Sequence, residues 1–119
     1  MLMYNQANVT TIKNFIKNRI YRTGAMTFAE LVRFYPGDLT GTENIEIERY
    51  KIVLWQNVSE DLKQALNELQ EEYAVKYVPC DMILYILDGM TLDIDIVKSI
   101  PAGGYKESRW LPVQMVLRR

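Results

Sequence analysis

The sequence predicts an α+β domain, with helices first and a small antiparallel sheet after them. Three observations lead there. Apolar residues recur at helical spacing near the start and again over residues 59–73. From Ala74 onward the pattern turns extended and is broken by Pro and Gly. The 119 residues, 49% of them hydrophobic, suit one domain with a real core, so residues 1–119 are read as a single domain.

The first helix is expected from about Thr10 to Arg22. Ile12, Phe15, Ile16 and Ile20 form its apolar face, Thr10 or Thr11 caps its start, and Gly24 lies just past its end. A short second helix starts at Thr27. Glu30 stands three residues on, which is a capping-box spacing, and Pro36-Gly37 stops the helix. Residues 36–44 read as a solvated turn. Residues 45–55 (IEIERYKIVLW) favour a strand, with a helix as the alternative.

The plainest element is the helix over residues 59–73. Ser59 is its N-cap, Glu60 and Asp61 suit the positive pole, and Leu62, Ala65, Leu66, Leu69 and Tyr73 make the apolar stripe. Ala74–Val78 then reads as a strand and Pro79-Cys80-Asp81 as a turn. Met82–Leu87 reads as a strand buried on both faces, because its apolarity is unbroken. Asp88-Gly89 is a hairpin signal, and Leu92, Ile94 and Ile96 alternate with Asp93 and Asp95 as in a half-exposed strand. After a loop at residues 101–104, Leu111, Val113, Met115 and Leu117 share one face of a last strand, which Pro112 assigns to a sheet edge.

The order helix, short helix, amphipathic helix, strand, turn, strand over residues 10–87 resembles a winged-helix domain. The resemblance implies that residues 27–35 are its second helix and residues 59–73 its third. Residues 75–78 and 82–87 would flank the wing; the strands expected after Gly89 form a C-terminal extension that the family does not require. In that family the third helix often reads DNA. Here it carries Glu60, Asp61, Glu68, Glu71 and Glu72 against the single Lys63, a balance that repels a duplex.

Charge is unevenly spread. The chain has 14 basic and 15 acidic residues, net −1. Residues 1–39 hold five bases and two acids, residues 40–97 four bases and twelve acids, and residues 98–119 five bases and one acid. The ends are basic and the middle is acidic.

The absence of His removes the usual general base at neutral pH, with it every Ser-His-Asp or Cys-His arrangement within the chain, and the His-dependent zinc sites. The single Cys80 cannot form an internal disulfide, and nothing resembles a secretory signal, so a cytoplasmic, reducing setting is expected. Asp93 with Asp95, and Glu46 with Glu48, share strand faces but lack a third ligand at diagnostic spacing. No catalytic residue, metal site, cofactor or membrane association is therefore expected.

The leading expectation is an interaction or assembly module that meets a protein partner or a second copy of the chain through Tyr50, Trp55, Tyr105 and Trp110, since aromatic residues are enriched at interfaces. The alternative is a nucleic-acid-binding regulator. It would use the basic first helix and the C-terminal loop, with Lys13, Lys17, Arg19, Lys106 and Arg109 on phosphates.

Overall fold

The first helix, α1, spans Gln6–Thr23, starting four residues before its expected position. Asn5 is the reason. Its side chain accepts from the N–H groups of Ala7 and Asn8, and its own N–H donates to Asp61 Oδ1 at 2.8 Å. The computed structural model describes residues 4–118. Val9, Ile12, Ile16 and Ile20 make the buried face of α1.

Strand β1 (Met26–Thr27) leads directly into α2 (Phe28–Phe34). Thr27 caps α2 as expected, its hydroxyl accepting from Glu30 N–H at 3.0 Å. The Glu30 carboxylate reaches across to Arg19 Nε at 2.7 Å.

The segment 36–58 holds two strands where one was expected, and the first of them begins at Thr40, inside the expected turn over residues 36–44. β2 (Thr40–Ile47) and β3 (Ile52–Val58) form an antiparallel pair joined by a 3₁₀ turn, Glu48–Tyr50. Lys51 closes that turn in the left-handed region at φ 54°. The start of β2 lies so close to the end of β3 that a Cβ on Gly41 would sit 2.6 Å from the Val58 carbonyl oxygen.

Helix α3 (Glu60–Glu71) follows with Ser59 as its N-cap, as expected. It buries Leu62, Ala65, Leu66 and Leu69 against α1, β2 and the next strand, β4 (Val75–Pro79).

Beyond β4 three expectations fail. Residues 82–87 are not a strand. Ile83–Asp88 is a short helix, α4, which buries Tyr85 alone. The wing strand that the resemblance placed there is therefore absent. Asp88-Gly89 is not a hairpin turn. Gly89, at φ 85°, ends α4, with Gly89 N–H bonded to Ile86 O and Met90 N–H to Tyr85 O. A hairpin turn and a helix C-terminus both need a residue at positive φ, so the dipeptide satisfies either. Residues 92–96 make a single bridge, Ile96 to Trp110, in place of a strand.

Two strands complete the described residues: β5 (Arg109–Trp110), parallel to β3, and β6 (Val113–Leu117). The sheets have the orders β2-β3-β5 and β1-β6-β4. β6 is thus a central strand, contrary to the edge position that Pro112 suggested. Pro112 precedes the strand and contributes only its carbonyl, which accepts from Cys80 N–H at 3.0 Å. The edge proline is Pro79. The bonds Cys80 to Pro112 and Arg118 to Ala74 turn the even-numbered residues of β4 toward β6. Pro79 therefore faces away, where no ladder N–H is needed.

The core is one cluster filled between the helices and both sheets, with aromatic rings at its centre. Trp110 is fully buried, 5.0 Å from the Tyr85 ring in an edge-on arrangement and 6.1 Å from Trp55. Phe28 stacks on Trp55 at 6.1 Å. Among the described residues no helix is long and apolar enough to cross a membrane.

Candidate interaction surfaces

Two of the four aromatic residues expected at an interface belong to this core. Trp55 is 4% exposed and Trp110 0%, so neither offers a surface to a partner. Large apolar side chains gain most from leaving water, and here the core claims both. Tyr50 and Tyr105 are half-buried against each other's segments. Tyr105 N–H donates to Tyr50 O at 3.0 Å, and a Cβ on Gly104 would sit 2.7 Å from Tyr50 Cα. The Tyr105 hydroxyl is engaged by Ser99 O and Lys98 N–H. Tyr50 and Tyr105 fasten the loop 98–109 to the 3₁₀ turn.

The cations expected on phosphates are divided between two regions. On α1, Lys13 sits between Glu68, at 3.0 Å, and Glu72 of the acidic α3 segment. The hydrogen bond to Glu72, then that to Glu68, holds the Lys13 ammonium above the ordinary lysine value against the opposing effect of burial. Arg19 is held by Glu30 and lies over the Phe34 ring at 4.4 Å. Lys17 is half-buried on the same helix. Lys106 and Arg109 belong to the loop on the other sheet. Arg109 lies 3.7 Å from Asp95 and 5.2 Å from the Tyr105 ring, and Lys106 accepts through its carbonyl from Lys51 Nζ. Of the bases in the first 39 residues, Lys13 is thus paired with acids of the middle segment and Arg19 with an acid of its own segment.

An apolar surface stands where the sequence showed none. In α4 and its exit, Ile83 is 51% exposed, Ile86 52%, Leu87 73% and Met90 38%. Ile83, Ile86 and Leu87, at i, i+3 and i+4, share one helical stripe facing solvent, and Met90 follows beyond Gly89. α4 is nonetheless held firmly from behind. The Tyr85 hydroxyl donates to Val113 O at 2.6 Å and accepts from Phe28 N–H at 3.2 Å. Burial pushes this phenol well above its ordinary value. Thr27 Oγ1 donates to Asp88 Oδ2 at 2.6 Å, and Arg33 donates to Asp88 O at 3.4 Å. The signals for this helix were in the sequence. Asp81 accepts from Ile83 N–H at 2.9 Å at its start, and Gly89 stands at its end. An unbroken apolar run hid the helical period.

Asp93 and Asp95 are exposed, as are Glu46 and Glu48. Among the described residues no three His, Cys, Asp or Glu side chains converge on a metal-sized site. Burial raises the Cys80 thiol above its ordinary value, and the Asp81 and Asp88 carboxylates add to this, so the thiolate is disfavoured.

Compared with known proteins, the chain matches no family model, no curated protein and no solved structure.

Proposed function

We propose that the protein is an interaction or assembly module with a winged-helix-like fold, and that the exposed stripe of α4 is its contact face. The observation that carries this is the pairing of an outward apolar stripe with a rigid inward anchor. An exposed apolar patch on a soluble domain commonly marks a contact surface. Anchoring by Tyr85 and Asp88 fixes the stripe before binding, so little ordering is left for the complex to supply. A single helical stripe is self-complementary about a two-fold axis, which makes a second copy of the chain the first partner to test.

The order α1, β1, α2, α3, β4, β6, with β6 between β1 and β4, supports the winged-helix-like reading. On it, the β2–β3 pair is an insertion between the second and third helices. α4 and β5 then occupy the wing between β4 and β6. A helix there, in place of a bare loop, suits a wing that touches protein. A cytoplasmic setting belongs to the same reading, supported by the single unreactive Cys80.

Sedimentation velocity across the micromolar to millimolar range tests this. The expected result is concentration-dependent dimerisation that Leu87→Glu abolishes while the melting temperature holds. A strict monomer throughout, or a dimer indifferent to Leu87→Glu and Ile83→Glu, would count against α4 as the contact face.

A further inference from the structure

At the opposite end of β4 from α4 lies a cleft of about 540 Å³, between the end of α1 and the paired ends of β4 and β6. Strand lengths create it. β1 has two residues and pairs only with Gln114 and Met115, so Val116 and Leu117 have β4 on one side and no strand on the other. Gly24, at φ 92°, turns the chain away at the end of α1 and brings no side chain to fill the space.

The lining of this cleft is basic and aromatic. Lys76 and Arg118 line it together with Tyr21, and no acidic side chain does. Among the described residues no carboxylate lies within 4.0 Å of either cation, in contrast to Lys13 and Arg19. Arg22, exposed in the last turn of α1, lies outside the lining of the cleft. It offsets the negative pole of the helix, whose end carbonyls are partly satisfied by Gly24 N–H and the Thr23 hydroxyl.

Two exposed aromatic rings accompany these cations, Tyr21 in the lining of the cleft and Tyr73 outside it, next to Arg118 and directly after the exposed Glu71 and Glu72. Tyr21 is 81% exposed, and Tyr73, 73% exposed, meets the Arg118 guanidinium at 5.5 Å. Tyr73 holds a left-handed backbone at φ 55°, the place where a helix end normally has Gly. A less strained residue at this position would remove an exposed ring from beside Arg118.

We propose that this cleft binds single-stranded nucleic acid, with Lys76 and Arg118 meeting phosphates and Tyr21 and Tyr73 stacking on bases. Cations clear of carboxylates draw in a phosphate backbone, and exposed rings give unpaired bases a stacking platform. An acidic peptide would use the cations and leave both rings idle. A duplex keeps its bases stacked on one another, out of reach of the rings. This site is independent of the α4 stripe.

The experiment is fluorescence anisotropy with a fluorescein-labelled oligothymidylate. A saturable rise is expected at about 50 mM salt, weakening steadily as salt increases. Lys76→Glu with Arg118→Glu should abolish it, and Tyr21→Ala or Tyr73→Gly should each weaken it about ten-fold. All four positions are on the surface, and circular dichroism confirms folding of each variant. Leu87→Glu should bind as the wild type does, which separates this site from the contact face. No saturable rise at low salt would overturn the proposal. Equal binding by the charge-reversed variant would also do so, as would a duplex or polyglutamate competing better than the oligothymidylate.

Discussion

Helices α3 and α4 are built from similar apolar residues and use them in opposite directions. α3 turns Leu62, Ala65, Leu66 and Leu69 inward, all at 2% exposure or less. α4 turns Ile83, Ile86 and Leu87 outward and sends in Tyr85 alone. Their C-termini share one bonding pattern. Tyr73 N–H bonds Gln70 O and Ala74 N–H bonds Leu69 O at the end of α3. Gly89 to Ile86 and Met90 to Tyr85 repeat the arrangement at the end of α4. The left-handed residue is Gly89 in one and Tyr73 in the other. α3 is a helix of the core, whereas α4 is held by Tyr85 and Asp88 and turns its large aliphatic side chains Ile83, Ile86 and Leu87 to solvent.

The largest effect that tests this contrast is in α3. Leu69→Ala should cost about 2–5 kcal/mol in denaturant unfolding, since Leu69 is fully buried and leaves a cavity. Tyr85→Phe should cost about 1–3 kcal/mol, because Val113 O and Phe28 N–H would be left buried without their partner. An unchanged melting temperature for Tyr85→Phe would mean that α4 is held by something other than its anchor. Tyr73→Gly should stabilise by about 1 kcal/mol, relieving the left-handed backbone. If it destabilises, the ring has a structural task at the end of α3.

A smaller effect is in the pH dependence. Lys13 is held above its ordinary value by Glu72 first, so its contribution is full below its unfolded pKa and is lost as pH rises through the folded value. Glu68 is held below its ordinary value by the Gln64 amide and then by Lys13. Its contribution is present above the unfolded pKa and is lost as pH falls through the folded value. Chemical denaturation should therefore show this α1–α3 contribution constant between about pH 5 and about pH 10, and declining outside that window. Lys13→Met should remove the alkaline decline. Smallest of all, Leu87→Ala should change stability by less than about 0.5 kcal/mol, as for a solvent-facing residue.

The parts of the fold legible in the sequence are those that local chemistry dictates. Ser59 and Thr27 cap their helices because a hydroxyl beside orphan N–H groups has one good use. The stripe of α3 alternates with charge, so its period is plain. In residues 82–87 no polar residue marks the outer face, and a buried strand and an outward-facing helix look alike. The two prolines near the sheet were distinguishable only once β4 and β6 were paired, because edge and centre are properties of the assembled sheet. For the surfaces, residue type misled at Trp55 and Trp110, which the core took. Tyr21, Lys76 and Arg118 lie far apart in sequence, and only the meeting of α1 with β4 and β6 makes them neighbours.

The strand order has a consequence for how the molecule is made. β6 comes last in sequence of the three strands in its sheet, yet occupies the middle, pairing Met115 with Met26 on one side and Tyr77 on the other. β1 and β4 therefore have no partner until the most distant strand arrives. Closing so long a loop slows folding, and the waiting edges are exposed to other chains meanwhile. Pro79, with no N–H to offer on the outer side of β4, denies one of the sticky borders to those chains during that interval.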